Sequence, residues 1–202
     1  VEYNAKTDVY MAKVTVKNVG SVIGKEAVQL YLQKPYTDYD KQNGIEKSAV
    51  DFVGFAKTEE LAPNATQTLN IEVKGSELAS YDSNKAKTYI LDAGDYYFTA
   101  AKNAHEAVNN VLSAKGKTKS DGMTDDGETK MTKKFTKTFD DKTYATSAAT
   151  GNAITNAFDD ADLNRYDGKG SNSVNYMTRS NWEGTVKLGL TKTHERLNNE
   201  VK

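Results

Sequence analysis

The chain has 202 residues, 37% hydrophobic and 27% charged, and its 27 Lys and Arg against 28 Asp and Glu leave a net charge of −1. That balance excludes the basic excess of a dedicated nucleic-acid binder, and Lys-rich stretches interleaved with Asp and Glu read as solvated faces. No cysteine is present, which removes disulfides, thiolate catalysis and cysteine-ligated zinc together. No apolar run approaches the roughly 20 residues that span a bilayer, so no membrane partner is expected. The modest apolar share suits one packed core with a lengthy polar remainder. Val1-Glu2-Tyr3 shows neither an initiator Met nor a signal pattern, as expected of a processed chain or a piece of a longer one.

The first hundred residues are punctuated like an all-β domain. Residues 10–17 alternate, with Tyr10, Ala12, Val14 and Val16 on one face and Lys13, Thr15 and Lys17 on the other. Asn18-Val19-Gly20 supplies the turn chemistry that ends this strand. Residues 27–32 alternate again, placing Val28, Leu30 and Leu32 inward and Gln29 and Tyr31 outward. A long loop over 33–48 then breaks the rhythm, and loops of that length inside a compact domain are functional or disordered. Strand character resumes over 50–58, with Phe52 and Phe55 among its apolar residues and Gly54 marking a bulge or kink.

Leu61-Ala62-Pro63-Asn64 is a turn, and 66–73 follow as an amphipathic strand with Leu69, Ile71 and Val73 facing in. Residues 88–91 and 95–101 are expected to form a hairpin around Ala93-Gly94, with Tyr96, Phe98 and Ala100 sharing a face. Several short strands separated by turn signals suggest a sandwich. Beyond Lys102, the helical spacing of Ala104, Ala107, Val108, Val111 and Leu112 predicts a short amphipathic helix over 103–115, closed by Gly116. Residues 117–130 read as a flexible polar loop, and Met131, Phe135 and Phe139 suggest one further strand at a sheet edge. From Asp140 onward the hydrophobic anchors are scattered: Tyr144, Ile154, Phe158, Leu163, Tyr166, Tyr176 and Trp182. Such a tail cannot build its own core and must stay disordered or drape over something else. Residues 193–201 suit a terminal helix with Thr193 as N-cap.

The run from Val14 through Lys17-Asn18-Val19-Gly20, followed by Gly24-Lys25-Glu26-Ala27-Val28-Gln29-Leu30-Tyr31-Leu32, resembles the start of one particular module. Val53-Gly54-Phe55, Leu61-Ala62-Pro63 and Gly94-Asp95-Tyr96 continue the likeness in the same order. Together they resemble the fibronectin type III-like domain of glycoside hydrolase family three, the β-glucosidase and β-xylosidase family. The stretches Ala104-His105-Glu106-Ala107-Val108-Asn109-Asn110-Val111-Leu112, Asn156-Ala157-Phe158-Asp159-Asp160-Ala161-Asp162 and Tyr176-Met177-Thr178-Arg179-Ser180-Asn181-Trp182-Glu183-Gly184-Thr185 are similar to its reverse-ordered members. In those members an α/β sandwich comes first, this module sits in the middle and a (β/α)8 barrel follows.

The resemblance implies an all-β fold, a fibronectin type III/immunoglobulin-like β-sandwich with a short helix and a long, mostly irregular C-terminal extension. The sandwich would occupy 1–139, with its helix near 103–115, and 140–202 would run towards a barrel domain outside this chain. The implied role is a non-catalytic accessory module of a bacterial β-glucosidase-like enzyme, cytoplasmic or secreted, acting on plant-type oligosaccharides. Its implied partners are the α/β-sandwich and (β/α)8 barrel domains of that enzyme, and no cofactor is called for. The alternative is a stand-alone carbohydrate-binding or cell-surface adhesion sandwich.

Retaining glycosidases need two carboxyl groups about 5 Å apart across the scissile bond. Ser180-Asn181-Trp182 looks like the Ser-Asp-Trp around the family's nucleophile, but the Asn181 amide cannot attack an anomeric carbon. Glu183 beside it reads as an exposed tail residue, so no catalytic residue is assigned. Asp125-Asp126 and Asp159-Asp160-Ala161-Asp162 lack the ligand spacing of a calcium loop and read as solvated acidic stretches. His105 and His194 fall on separate expected helices, without the partners of a general base or zinc site. Tyr36 and Tyr39 occupy the 33–48 loop, where exposed aromatic faces can stack on an oligosaccharide, and they are the candidate substrate contacts. In an excised chain the tail anchors are expected to fold back on the sandwich or to pair with a second copy.

Overall fold

In chain order the strands are β1 (Glu2–Asn4), β2 (Val9–Lys17), β3 (Ala27–Gln33), β4 (Asp51–Lys57), β5 (Thr66–Lys74), β6 (Ser80–Asp82), β7 (Thr88–Ile90), β8 (Gly94–Ala101) and β9 (Thr132–Lys137). Among the described residues two α-helices accompany them, α1 (Asp38–Asn43) and α2 (Ala104–Ala114). The computed structural model describes residues 1–158, 161 and 176. Val1–Ala157 form the sandwich unit, and Phe158–Lys202 separate from it as a second unit.

All strand pairing among the described residues is antiparallel, in one sheet of order β1-β2-β5, a second of order β4-β3-β8-β9 and a small β6-β7 ribbon. Period-2 alternation decides the inner faces. Tyr10 lies opposite Val73 and Ala12 opposite Ile71 in the first sheet, while Leu30 lies opposite Ala100 and Leu32 opposite Phe98 in the second. The two inner faces meet in one core, where Phe135 of the edge strand β9 stacks within 5.2 Å of Phe98 and 5.6 Å of Tyr96. Burying such aromatic and aliphatic groups stabilises the sandwich by about 1.5–3 kcal/mol per side chain.

The packing refines or corrects four sequence expectations. Tyr31 points away from the core as alternation requires, yet it is buried, because α2 lies over the outer face and packs Ala107 against Tyr31 and Ala101. Alternation assigns a face; it does not say whether water or a helix covers that face. The residues flanking Ala93-Gly94 do not form a hairpin: β7 pairs with β6, and β8 pairs with β3 and β9. The Tyr96 hydroxyl accepts from the Asp92 amide at 3.0 Å and donates to the Asp92 carbonyl at 3.1 Å, occupying backbone groups that a hairpin ladder would use.

The loop over 33–48 is neither open nor featureless, since it contains α1 and buries Asp40 and Ile45. Residues 117–130 are likewise docked rather than free. The Asn110 side-chain carbonyl accepts from the Glu128 amide at 2.8 Å, and Gly127 presses so closely on α2 that a Cβ there would lie 2.1 Å from the Asn109 carbonyl oxygen.

Gly54 does mark a bulge. Leu30 is opposite Gly54 but Tyr31 is opposite Phe52, so Val53 is the extra residue. The bulge turns Val53 and Ala56 to the core and leaves Phe52 and Phe55 on the outer surface, more than half exposed. Past β9 the chain keeps engaging the sandwich: Leu91 bridges Asp140, and Tyr144 packs on the core and donates to the Asp8 carboxylate at 2.7 Å.

Replacing Leu30 or Ile71 by Ala should cost about 2–5 kcal/mol of folding stability by transfer loss and cavity formation. Replacing the exposed Lys17 should stay within about 0.5 kcal/mol. Urea denaturation of the three variants checks this, and a larger loss at Lys17 than at Leu30 would overturn the assignment of faces.

Candidate functional site

The loop that joins β3 to β4 is organised by charge. Thr37 caps α1, accepting from the Asp40 amide at 3.2 Å while the Asp40 carboxylate accepts from the Thr37 amide at 2.6 Å, a capping box. Gly44 ends the helix at φ 64, and the Ile45 amide returns to the Asp40 carbonyl at 2.9 Å. This geometry drives the Asp40 side chain fully out of solvent, where it meets the Lys47 ammonium at 2.8 Å. Lys47 also pairs with Asp92 and donates to the Pro35 carbonyl at 3.1 Å, and its own side chain is only 4% exposed. Burial pushes the Asp92 carboxyl above its ordinary range; the Lys47 ammonium opposes that rise and the neighbouring Asp40 carboxylate adds to it.

Asp40 and Asp92 thus share one ammonium. A glycosidase needs its two carboxylates open to the substrate, and these two are closed to it. They are structural.

The two loop tyrosines, Tyr36 and Tyr39, lie on either side of the Thr37 cap. Tyr39 donates to Asp82 at 2.7 Å, its ring lies 5.5 Å from Phe139, and the Lys85 ammonium sits 4.8 Å over its centroid. Burial first, and then the Asp82 hydrogen bond, push the Tyr39 phenol up to about 12. Burial alone would raise Asp82 as well, but the amides of Lys85, Ala86 and Asn84 together with the Tyr39 hydroxyl outweigh it and hold this carboxyl below its ordinary value. Tyr36 is half-buried, with its hydroxyl 3.4 Å from Glu46 and the Lys41 ammonium 5.8 Å over its ring.

The loop residues that sequence reasoning missed are Asp40, Lys47, Asp82 and Asp92. Only the first had a readable signal, a Thr-x-x-Asp capping box closed by Gly44. Elsewhere, His105 contacts the Thr124 hydroxyl at 2.7 Å on the surface of α2, and Asp125 and Asp126 each pair with Lys119 at 3.2 Å. Among the described residues no cluster of three or more His, Cys, Asp or Glu side chains is placed to hold a metal ion. Asp159, Asp160, Asp162, Asn181, Trp182, Glu183 and the expected helix over 193–201 with His194 lie outside the described residues.

Two antiparallel sheets packed on a single core, with the β6-β7 ribbon between β5 and β8, are the architecture of a fibronectin type III-like domain, and residues 26–104 match the model of that family. The match is most informative among β-glucosidases. A curated β-glucosidase from Ruminococcus albus is 42% identical over 96 residues, 46% of this chain and 10% of the relative. β-Glucosidase A from Butyrivibrio fibrisolvens is 37% identical over 94 residues, 45% of this chain and 11% of the relative. Among solved structures, a β-glucosidase from Paenibacillus barengoltzii is 34% identical with a TM-score of 0.43, over 50% of this chain and 11% of that one. The likeness that the ordered motifs implied is therefore met, and the chain spans about a tenth of the length of the curated relatives it matches.

Lys47→Met should destabilise by about 3–5 kcal/mol, because it strands two buried carboxylates. The triple variant D40N/K47M/D92N, which removes the charges together, should recover part of that loss in the same denaturation assay. A second measurement is pH-dependent. The depressed Asp82 carboxyl contributes stability above its unfolded value of about 3.9, and that contribution is lost as pH falls through the lower folded value. Asp82→Asn should therefore flatten the acid limb of a melting-temperature profile, and an unchanged slope would rule out this role.

Proposed function

We propose that this chain is a non-catalytic accessory module of a multidomain β-glycosidase of β-glucosidase type. The observation that carries the reading is the 42% identity over 96 residues to a protein of which this stretch is one tenth. The buried Asp40–Lys47–Asp92 cluster supports it, since that carboxylate pair braces a loop where no glycosidic bond can enter. In this reading the sandwich supports an α/β-sandwich domain and a (β/α)8 barrel, and the stretch after β9 leads towards the barrel.

The surface suits such support. Asn18 holds the loop after β2 from both sides: its side-chain amide donates to the Val22 and Leu61 carbonyls, each at 2.8 Å, and its side-chain carbonyl accepts from the Gly20 amide at 2.9 Å. The loop so fixed presents Val19, Val22 and Ile23, among the most exposed large apolar side chains described. Apolar groups held rigidly in water suit a neighbouring domain better than solvent.

The chain by itself should not release chromophore from an aryl β-glucoside above the buffer rate, while the protein that contains it, with its other domains, should. Turnover by the isolated chain would overturn the accessory reading. So would flanking coding sequence that lacks glycosidase domains.

A further inference from the structure

A groove of about 520 Å³ opens between the 3₁₀ turn Gly75–Leu78, Tyr89 of β7 and the residues after β9. That volume lies within the roughly 300–1,000 Å³ typical of small-molecule sites. We propose that this groove binds a neutral glycosyl unit.

The walls are fixed in advance by one residue, Asp8. The Gly75 amide donates to the Asp8 carbonyl at 2.7 Å, and the turn lies so close that a Cβ on Gly75 would sit 2.0 Å from Asp8 Oδ1. Asp8 Oδ2 accepts from Tyr144 at 2.7 Å, so the same residue positions the opposite wall. That wall is a tight reversal in which Thr146 bridges Ala153, the Ser147 amide donates to the Asn152 carbonyl at 2.9 Å and Gly151 takes φ 72. Lys34 closes the end of the groove, donating to the Ala79 carbonyl at 2.7 Å and pairing with Asp51 at 3.3 Å. A groove ordered before binding spares the ligand the cost of ordering it.

The lining has the two-sided chemistry of a sugar. Tyr89 is 41% exposed, and its edge-on contact with Tyr81 at 5.3 Å holds the ring in place. Such a ring takes the apolar C–H face of a pyranose. The hydroxyls of Ser76, Thr146 and Ser147 and the Glu77 carboxylate also line the groove, and none has a side-chain hydrogen-bond or ion-pair partner among the described residues. Three hydroxyls and a carboxylate around an aromatic plate match the alternating donors and acceptors of a hexose. The charges select against anions: Lys34 is committed twice, and Glu77 faces the groove uncompensated. A phosphate or uronate is therefore disfavoured relative to the neutral sugar.

The test is an amide NMR titration of the whole chain with methyl β-glucoside, cellobiose and glucuronate. The neutral sugars should shift Ser76, Glu77, Tyr89, Thr146 and Ser147 together, and glucuronate should bind more weakly. Tyr89→Ala should weaken binding about tenfold while Tyr89→Phe retains it. Glu77→Gln, an exposed change that leaves the fold intact, should weaken it as well and relax the discrimination against glucuronate. Absent shifts, shifts confined to Tyr36 and Tyr39, or a Tyr89→Ala variant that binds as tightly as the native chain would each overturn the inference. The accessory reading stands or falls separately, on turnover and flanking sequence.

Discussion

The Lys47 ammonium sits where water scarcely reaches, and a lone charge there would cost several kcal/mol. Two carboxylates from distant parts of the chain offset that cost, Asp40 at the start of α1 and Asp92 in the turn before β8. Each is itself held: Asp40 by the capping box with Thr37, Asp92 through the two backbone bonds to the Tyr96 hydroxyl. The path of the β3–β4 connection follows from this requirement. Once Asp40 is fixed inward, Tyr39 one residue before it points at Asp82, and the β6-β7 ribbon is tied to the same loop. An electrostatic demand at one lysine therefore settles the placement of a helix and a ribbon that hydrophobic burial alone would leave loose.

The rest of the module is arranged around a face-to-face core with unequal outer faces. The outer face of β3 and β8 is sealed by α2, whose Asn103 cap and Gly116 exit are both in place. The outer face of β4 is not sealed, and the bulge at Val53 puts two phenylalanines there, 6.3 Å apart. A bulge on an edge strand also disturbs the row of backbone groups that another strand would pair with. The surface thus offers side chains for docking while discouraging edge-to-edge growth. That combination suits the accessory role proposed above.

How far the sequence could be read depended on the range of the interactions. The strands at 9–17, 27–33 and 66–74 were legible because a period of two over several residues is a local property, and α2 because its cap, its apolar spacing and its closing glycine are local too. Tyr31 was legible as an outer-face residue, but not its burial, because the helix that covers it begins more than seventy positions later. The β7–β8 hairpin failed because a tyrosine hydroxyl, not a neighbouring strand, takes the backbone groups of Asp92. Of the charged loop, only the Asp40 cap left a signature; Lys47, Asp82 and Asp92 resemble any surface residue until the fold buries them. The groove beside Tyr89 was invisible for the same reason, since Lys34, Ser76, Tyr89 and Ser147 form no motif along the chain.

Asp8 draws out one last consequence. It adopts φ 52, unusual for a residue with a side chain, and there it receives the hydroxyls of Tyr3 and of Tyr144, the latter 136 positions away. A ribosome releases the chain from the amino end, so Asp8 emerges early and its last partner is among the final pieces of this unit to appear. The strand ladder between β2 and β5 can zip in the meantime, but the knot at Asp8 cannot be tied until residue 144 is free. Completion of the sandwich is thereby timed to the arrival of residue 144, near the end of this unit.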